Sequence, residues 1–466
     1  MNEQQQKLSQ RLIYLYPVFI SLFFLMATPI AVIYTKEWDF FKNLVRIITS
    51  PSKLVTDYFA LGGLGSTLFN AAVCGLLTNL IVYLSRAKAN ATILAGYMLV
   101  VAHCFYGLNF LNMWPPLFGI LLYCGVMNKK VSENIHIALF STALAPFVSE
   151  LCFRYTVENY SLDVIQIDRV GVTLSLICGL AIGFVIPALL PGTAAMHRGY
   201  NLYKAGLAIG ILGIFLNAFM YNTLGVSKPG QLDIVNDVYY ALPYGYRGFM
   251  NVFFAILFLI TFVVGFILNG KSLKDFNRLL KCTGKGTDYT DKFGMPVCMI
   301  NIAVYGMAIL CYLNIVFILP SIFPGLPAGV GFTGATAGII FAALTFAADG
   351  QHVRNVFPIV VGYIALFSIV VVICLISGYD IPWTLSTQSY INGLAFATGL
   401  CPFAGKYGFR YGVLAGFMSA IICTITAEMH GGFVLYNGGF TAGLTALILL
   451  PILDFYNVKT MRDDDV

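Results

Sequence analysis

A chain of 466 residues that is 59% hydrophobic and only 10% charged, with a mean hydropathy of +0.82, cannot cover itself with polar surface; a water-soluble chain carries roughly 25% charged residues. That excludes a soluble globule and points to a polytopic membrane protein. The formal charge of +6 reads as basic loops between apolar runs, which leaves no role for a nucleic-acid partner.

Residues 1–11 are polar and carry no cleavable signal pattern, and the apolar run 12–34 is too long for a signal h-region and reads as a first span. Residues 36–53 mix Trp38, Phe40, Phe41 and Val45 with Lys42 and Arg46, the pattern of an amphipathic helix lying in the membrane interface. Further spans are predicted at 66–84, 91–110, 135–153, 170–190, 205–221, 249–268, 295–319, 332–348, 356–376, 411–429 and 434–453. Two shorter runs, 113–127 and 391–403, read as tilted spans or re-entrant segments. The predicted fold is an all-α, polytopic membrane helix bundle of about 12–14 helical segments, at about 20 residues per crossing. The 45 glycines suit closely packed and broken helices. Among the 11 cysteines, Cys74, Cys104, Cys124, Cys178, Cys298, Cys311, Cys374 and Cys423 lie inside apolar runs and none forms a C-x-x-C pair. They read as small packing residues, with no metal, cofactor or redox site.

The most polar stretch, 270–292, carries Lys271, Lys274, Arg278, Lys281, Lys285 and Lys292 against Asp275, Asp288 and Asp291. The excess of basic residues predicts a cytoplasmic loop. Arg86, Lys88, Lys129, Lys130, Lys459, Arg462 and both termini fall on the same side, and the loops around Glu158, Asp163, Asp233 and Asp237 on the other.

The strongest specific signal is an internal repeat. Thr193-Ala194-Ala195-Met196-His197-Arg198-Gly199-Tyr200-Asn201-Leu202-Tyr203 matches Thr426-Ala427-Glu428-Met429-His430-Gly431-Gly432-Phe433-Val434-Leu435-Tyr436 at one constant spacing. The match extends back to Gly179, Gly183 and Phe184 over Gly412, Gly416 and Phe417, and forward to Gly206 and Gly210 over Gly439 and Gly443. Upstream, Phe140, Thr142, Leu144, Pro146, Phe147, Phe153 and Arg154 pair with Phe396, Thr398, Leu400, Pro402, Phe403, Phe409 and Arg410; Gly63-x-Gly65-x-Thr67 resembles Gly329-x-Gly331-x-Thr333 more weakly. The reading is an N-terminal span and amphipathic helix (1–58), a first half (59–222), a two-span linker with the basic loop (223–324), and a second half with the C-terminal tail (325–466). The loop charges send 205–221 and 434–453 in opposite directions, so the halves are expected to be inverted repeats, with a solute site where they meet near the midplane.

Each His-x-Gly-aromatic-x-Leu-Tyr element joins two apolar runs, as a broken or re-entrant helix requires. His197, Gly199, Tyr200, Tyr203, His430, Gly432, Phe433, Tyr436 and Asn437 are therefore candidates to line a solute path, with membrane-face anchoring as the simpler reading. Glu150 and Lys406 occupy equivalent places four residues after Pro146 and Pro402, and Glu428 precedes Met429; such charges are costly in lipid and mark either pathways or span ends. Arg154 and Arg410 read as span caps, and His103 and Asn109 as packing residues. No Walker A loop, H-E-x-x-H or G-x-S-x-G motif is present.

The pair Met196-His197-Arg198-Gly199-Tyr200-Asn201-Leu202-Tyr203 and Met429-His430-Gly431-Gly432-Phe433-Val434-Leu435-Tyr436-Asn437-Gly438-Gly439-Phe440, with the span arrangement, resembles a bacterial multi-pass membrane family of unknown function, number 1576, over nearly the whole chain. The resemblance implies the bacterial inner membrane and no established activity. Phe69-Asn70-Ala71-Ala72-Val73-Cys74-Gly75 and Leu435-Tyr436-Asn437-Gly438 are faintly similar to the motifs of urea channels. The proline of the first motif is absent and the Pro-Phe element precedes the tyrosine element, so no substrate carries over. The expected function is a transporter or channel for a small polar solute, passive or coupled to a proton or sodium ion, in a lipid bilayer and open to homo-oligomer formation. The alternative is a membrane-embedded enzyme with a buried site made of His197, His430 and Glu428.

Overall fold

The computed structural model describes residues 3–54, 56–158, 160–162 and 164–462; Asp163, one of the acidic loop residues, lies outside them. Nine helices among the described residues are long and apolar enough to cross a membrane, and shorter apolar helices of 10–17 residues accompany them. The chain is a multi-span helical membrane protein.

A first helix, α1 (Glu3–Thr35), precedes the repeats. The first half runs through α2 (Phe40–Thr49), α3 (Tyr58–Leu84), α4 (Ala91–His103), α5 (Trp114–Val126), α6 (Val131–Ser141), α7 (Ala145–Phe153), α8 (Arg169–His197) and α9 (Lys204–Asn217). A short α10 (Asp237–Tyr240) and the long α11 (Arg247–Leu268) follow. The second half comprises α12 (Lys274–Leu279), α13 (Tyr289–Lys292), α14 (Met295–Ile322), α15 (Gly334–Leu344), α16 (Val353–Ser377), α17 (Gln388–Ala397), α18 (Cys401–Tyr407), α19 (Phe409–Ile422), α20 (Thr426–Met429) and α21 (Asn437–Phe455). The run 113–127 is the separate helix α5. The run 391–403 is a helix interrupted by a 3₁₀ turn at Thr398–Leu400, and its mate α6–α7 is interrupted at Thr142–Leu144.

The second half starts earlier than residue 325. Thr56-Asp57-Tyr58 with Gly63, Asn70 and Gly75 recurs as Thr287-Asp288-Tyr289 with Gly294, Asn301 and Gly306. The structure gives both copies the same bonds. Asn70 donates to the Cys104 and Leu108 carbonyls at 3.0 and 2.9 Å, and Asn301 to the Ala347 and Gln351 carbonyls at 2.7 and 2.8 Å. Gly63 (φ 77°) and Gly294 (φ 87°) each make the left-handed break ahead of the long helix, a conformation a side chain resists. Residues 223–324 are therefore not a two-span linker. Helix α14 is the mate of α3, and α11 alone of the long helices separates the halves. The weak match of Gly63 to Gly329 is superseded: a Cβ at Gly329 would meet the Ser386 side chain, in a loop of different structure.

The halves interlock reciprocally. Asp57 accepts from the Gly334 N–H that opens α15, at 2.7 Å, and Asp288 accepts from the Ala91 N–H that opens α4, at 3.2 Å. Tyr58 N–H donates to the Phe105 carbonyl at 3.3 Å and Tyr289 N–H to Ala348 at 3.0 Å. Gly334 lies against Phe105 while Gly338, one turn on, lies against Ala102, so α15 advances as α4 recedes. The same holds for the second central pair: Gly213, late in α9, lies against Val434 ahead of α21, and Gly443 in α21 faces Asn201 ahead of α9. Two antiparallel pairs of equivalent helices fix a pseudo-two-fold axis perpendicular to them, which is the geometry of an inverted repeat. Gly206 and its mate Gly439 touch backbone to backbone on that axis.

Glycine contacts also set the peripheral pairs. Gly119 meets Gly183 between α5 and α8, and Gly362 meets Gly416 between α16 and α19. In lipid, where burial gives little drive between helices, such close approach supplies the packing energy. One face of the bundle gathers the basic loops: Ser9 bonds the Thr290 carbonyl at 3.4 Å, Arg198 pairs with Asp454 at 2.6 Å, and Arg462 bonds the Lys281 carbonyl at 3.3 Å. The opposite face holds Glu37 with Tyr246 at 2.8 Å and Asp57 with Tyr239 at 2.7 Å.

Candidate functional site

The repeated element is a tight turn with three anchors. Helix α8 ends at His197 with Arg198 and Gly199 at positive φ, and the second copy turns at Gly431 and Gly432. Tyr200 N–H then bonds the His197 carbonyl at 2.8 Å, and Phe433 N–H the His430 carbonyl at 3.1 Å. The turn presents the aromatic residue to the broken helix: Tyr200 packs against Phe403 and Phe433 against Phe147, both as tilted ring pairs at 4.9 Å. A lysine covers each ring, Lys285 over Tyr200 at 4.7 Å and Lys53 over Phe433 at 5.6 Å, a cation held by the ring quadrupole.

Two residues on, the elements cross between halves. Leu202 N–H donates to the Gly399 carbonyl at 3.0 Å, and Leu435 N–H to the Ala143 carbonyl at 2.9 Å. Those carbonyls lie in the 3₁₀ turns that interrupt the two broken helices. Broken backbone within a membrane bundle needs partners that lipid cannot give, and the opposite half provides them.

The chain next delivers Tyr203 and Tyr436 to the axis, where their rings meet at 5.7 Å. Around them stand Phe396, at 5.2 Å from Tyr203 and 5.6 Å from Tyr436, Phe140 at 6.4 Å from Tyr436, Phe346 at 4.9 Å from Tyr203, and His103 at 6.3 Å from Tyr436. The six rings form three repeat-related pairs: Tyr203 with Tyr436, Phe140 with Phe396, and His103 with Phe346. Only the last pair breaks the symmetry. Gly399 and Gly438 let the Tyr203 and Phe396 rings lie directly on backbone.

A cavity of about 670 Å³ leads to this box from the basic face. Lys129 and Glu133 stand at its exposed rim and His136, Lys204 and Asp349 on its wall, while Phe140, Phe346 and Tyr436 close its floor. Both halves contribute. Burial lifts the Asp349 carboxyl to about 7, opposed by the Lys204 ammonium and reinforced by the Asp288 carboxylate. Past the floor the polar atoms run on: the Tyr436 and Tyr106 hydroxyls and both ring nitrogens of His103 are buried with no hydrogen-bond partner among the described residues. Leaving such a group unpaired costs about 1–3 kcal/mol, so this cluster is unusual for a packed interior.

Of the residues that the sequence singled out, Tyr436 lines the cavity and Tyr203 stands beside it in the box. His197 and His430 are fully buried away from the cavity wall, in elements at opposite faces; His430 bonds the Asn437 side chain at 2.8 Å. Gly199, Tyr200, Gly432 and Phe433 form the turns and anchors. Glu150 is tied to Arg154 at 2.6 Å, Lys406 is buried, and Glu428 and Arg410 are exposed; none of these lines the cavity. Phe346, Tyr106, Lys204, Asp349 and His136 were missed. Phe140 and Phe396 had the signal of being identical across the repeat.

The family model described as "Protein of unknown function (DUF1576)" matches residues 36–222 and 268–455. The chain belongs to the DUF1576 family. The two matched segments carry the two structural halves, α2–α9 and α12–α21, so a DUF1576 unit is one half of the interlocked pair. No curated protein and no solved structure matches the chain.

Proposed function

We propose that this DUF1576 protein is a transporter or channel for a small polar solute, with its path between the halves, crossing the pseudo-two-fold axis near the six-ring box. The observation that carries the reading is the cavity made by both halves, which ends on the six-ring box and is continued by unpartnered polar groups on the far side. Inverted repeats that meet at a midplane site are the usual plan of secondary transporters. The repeat mates of the cavity floor, Phe396 for Phe140 and His103 for Phe346, are buried as the floor itself is, and the buried phenol Tyr106 stands where the other half has Asp349. The cavity reaches the surface at the basic face, where Lys129 and Glu133 are exposed. A membrane-embedded enzyme built on His197, His430 and Glu428 has less support, because none of the three lines the cavity.

Protein reconstituted in liposomes is expected to raise the flux of at least one small polar solute above that of empty vesicles, without chemical conversion. A cysteine at Ala205 on the cavity wall, once modified by a bulky thiol reagent, is expected to block that flux. Flux equal to that of empty vesicles across ionic and neutral solutes would refute the reading.

The basic face is the cytoplasmic face in this scheme, since it gathers the Lys/Arg-rich loops. A cysteine at Ser272 is then expected to react with an impermeant maleimide only after the cells are opened. Labelling from outside intact cells would reverse the orientation.

A further inference from the structure

The symmetry of the box isolates one position where the halves differ in kind. His103 occupies the place that its mate fills with Phe346. Tyr106, next to it at 5.7 Å, is the mate of Asp349. On the far side of the box the sequence has therefore placed an imidazole and a phenol where the near side has a phenyl ring and a carboxylate. His103, Tyr106 and Tyr436 are each no more than 1% exposed, and their polar atoms find no partner among the described residues. Tyr436 belongs both to this cluster and to the cavity floor.

We infer that His103, Tyr106 and Tyr436 form the seat of the transported solute, and that the solute is small, uncharged and able both to donate and to accept hydrogen bonds. The inference rests on the transport reading above. An imidazole offers one donor and one acceptor, and each phenol offers both, so the cluster suits a solute with an amide-like edge. A charge is excluded by the surroundings. Every other ring of the box is a phenylalanine or tyrosine, and Lys204 and Asp349 stand on the cavity wall above it. An ion lowered into the seat would lose its hydration with no counter-charge to replace it.

Acetamide, acetamidinium and methanesulfonate are similar in size and differ in charge. In proteoliposomes, after subtraction of the flux through empty vesicles, acetamide is expected to cross and both ions to cross at least tenfold more slowly. His103→Phe makes the position match its mate, a ring that the same box accommodates at 346, and Tyr106→Phe removes a single oxygen. Each is expected to lower acetamide flux at least tenfold while the protein stays monodisperse in detergent with a melting temperature no lower than the wild type's. If either ion crosses as fast as acetamide, the uncharged-solute assignment is overturned and the transport reading stands. If acetamide crosses equally well in both variants, the seat is overturned. If none of the three crosses while another small polar solute does, this inference is overturned and the transport reading stands; if no ionic or neutral solute crosses, both fail.

Discussion

Gly206→Leu is expected to abolish the folded protein. Gly206 and Gly439 meet where α9 and α21 cross, and a Cβ built on Gly206 runs into the carbonyl carbon, Cα and oxygen of Gly439. These are backbone atoms of a buried helix and cannot swing aside as a side chain end would. Overpacking a core usually costs about 1–3 kcal/mol because neighbours give way; here relief requires the two halves to move apart at the axis. Tyr203 and Tyr436 lie next to the crossing and would lose their ring contact with it. A Cβ on Gly439 would first meet the Tyr436 ring at 2.9 Å and the Gly206 Cα at 3.2 Å, so Gly439→Leu is expected to be less damaging. Gly192, in α8, has open space where its Cβ would be, so Gly192→Ala is the control. Fluorescence-detected size exclusion in detergent reads the outcome. A monodisperse Gly206→Leu protein at wild-type yield would show that the helices do not cross at this residue.

The same contacts explain what could be read from the sequence. The element around His197 and His430 kept its residues because each position has a fixed local role. An aromatic ring packs on the broken helix, an N–H at Leu202 or Leu435 satisfies the 3₁₀ carbonyl, and a tyrosine reaches the axis. Those roles need particular residue types, so the copies stay alike. The start of the halves was harder to see. Helix α14 reads as any apolar span, and the bonds that make it the mate of α3 come from one asparagine, Asn301, and one glycine break. The marker Thr287-Asp288-Tyr289 lies inside the polar loop, where its charge suggested solvent and concealed its role as a cap for α4.

The box itself was only partly legible. Phe140 and Phe396 appeared as repeat identities, but nothing in one apolar run distinguishes a phenylalanine on the axis from one facing lipid. His103 looked like a packing residue because a lone histidine in an apolar span usually is one. Its significance comes from its neighbours Tyr106 and Tyr436, the latter far away in sequence, and from the absence of a partner for all three among the described residues. Conversely, the charged residues attracted notice because charge is rare here, yet Glu150 and Lys406 lie in α7 and α18, away from the cavity lining.

Glu150→Ala is expected to destabilise the protein more than the loss of both members of its ion pair. The Glu150 side chain is 1% exposed and that of Arg154 is 11% exposed. Arg154 grips the carboxylate through Nε at 3.0 Å and Nη2 at 2.6 Å, and the Tyr221 hydroxyl donates to the same carboxylate at 3.0 Å. Removing the carboxylate leaves the guanidinium without a counter-charge, held among the described residues only by the Gly230 carbonyl at 3.3 Å and the Tyr160 ring at 5.9 Å, and a phenol without its acceptor, beside the Phe147–Phe433 ring pair that anchors the second repeated element. Breaking one side of a buried pair costs about 3–5 kcal/mol, chiefly because the surviving charge is left without compensation. The double variant Glu150→Ala/Arg154→Ala removes that charge and is expected to recover part of the loss, giving a coupling of about 1–3 kcal/mol in the double-mutant cycle. Thermal melts in detergent of the wild type, both single variants and the double variant supply the cycle. A Glu150→Ala protein that melts with the wild type, or a double variant less stable than Glu150→Ala alone, would mean that the pair is solvated and that its burial holds nothing in place.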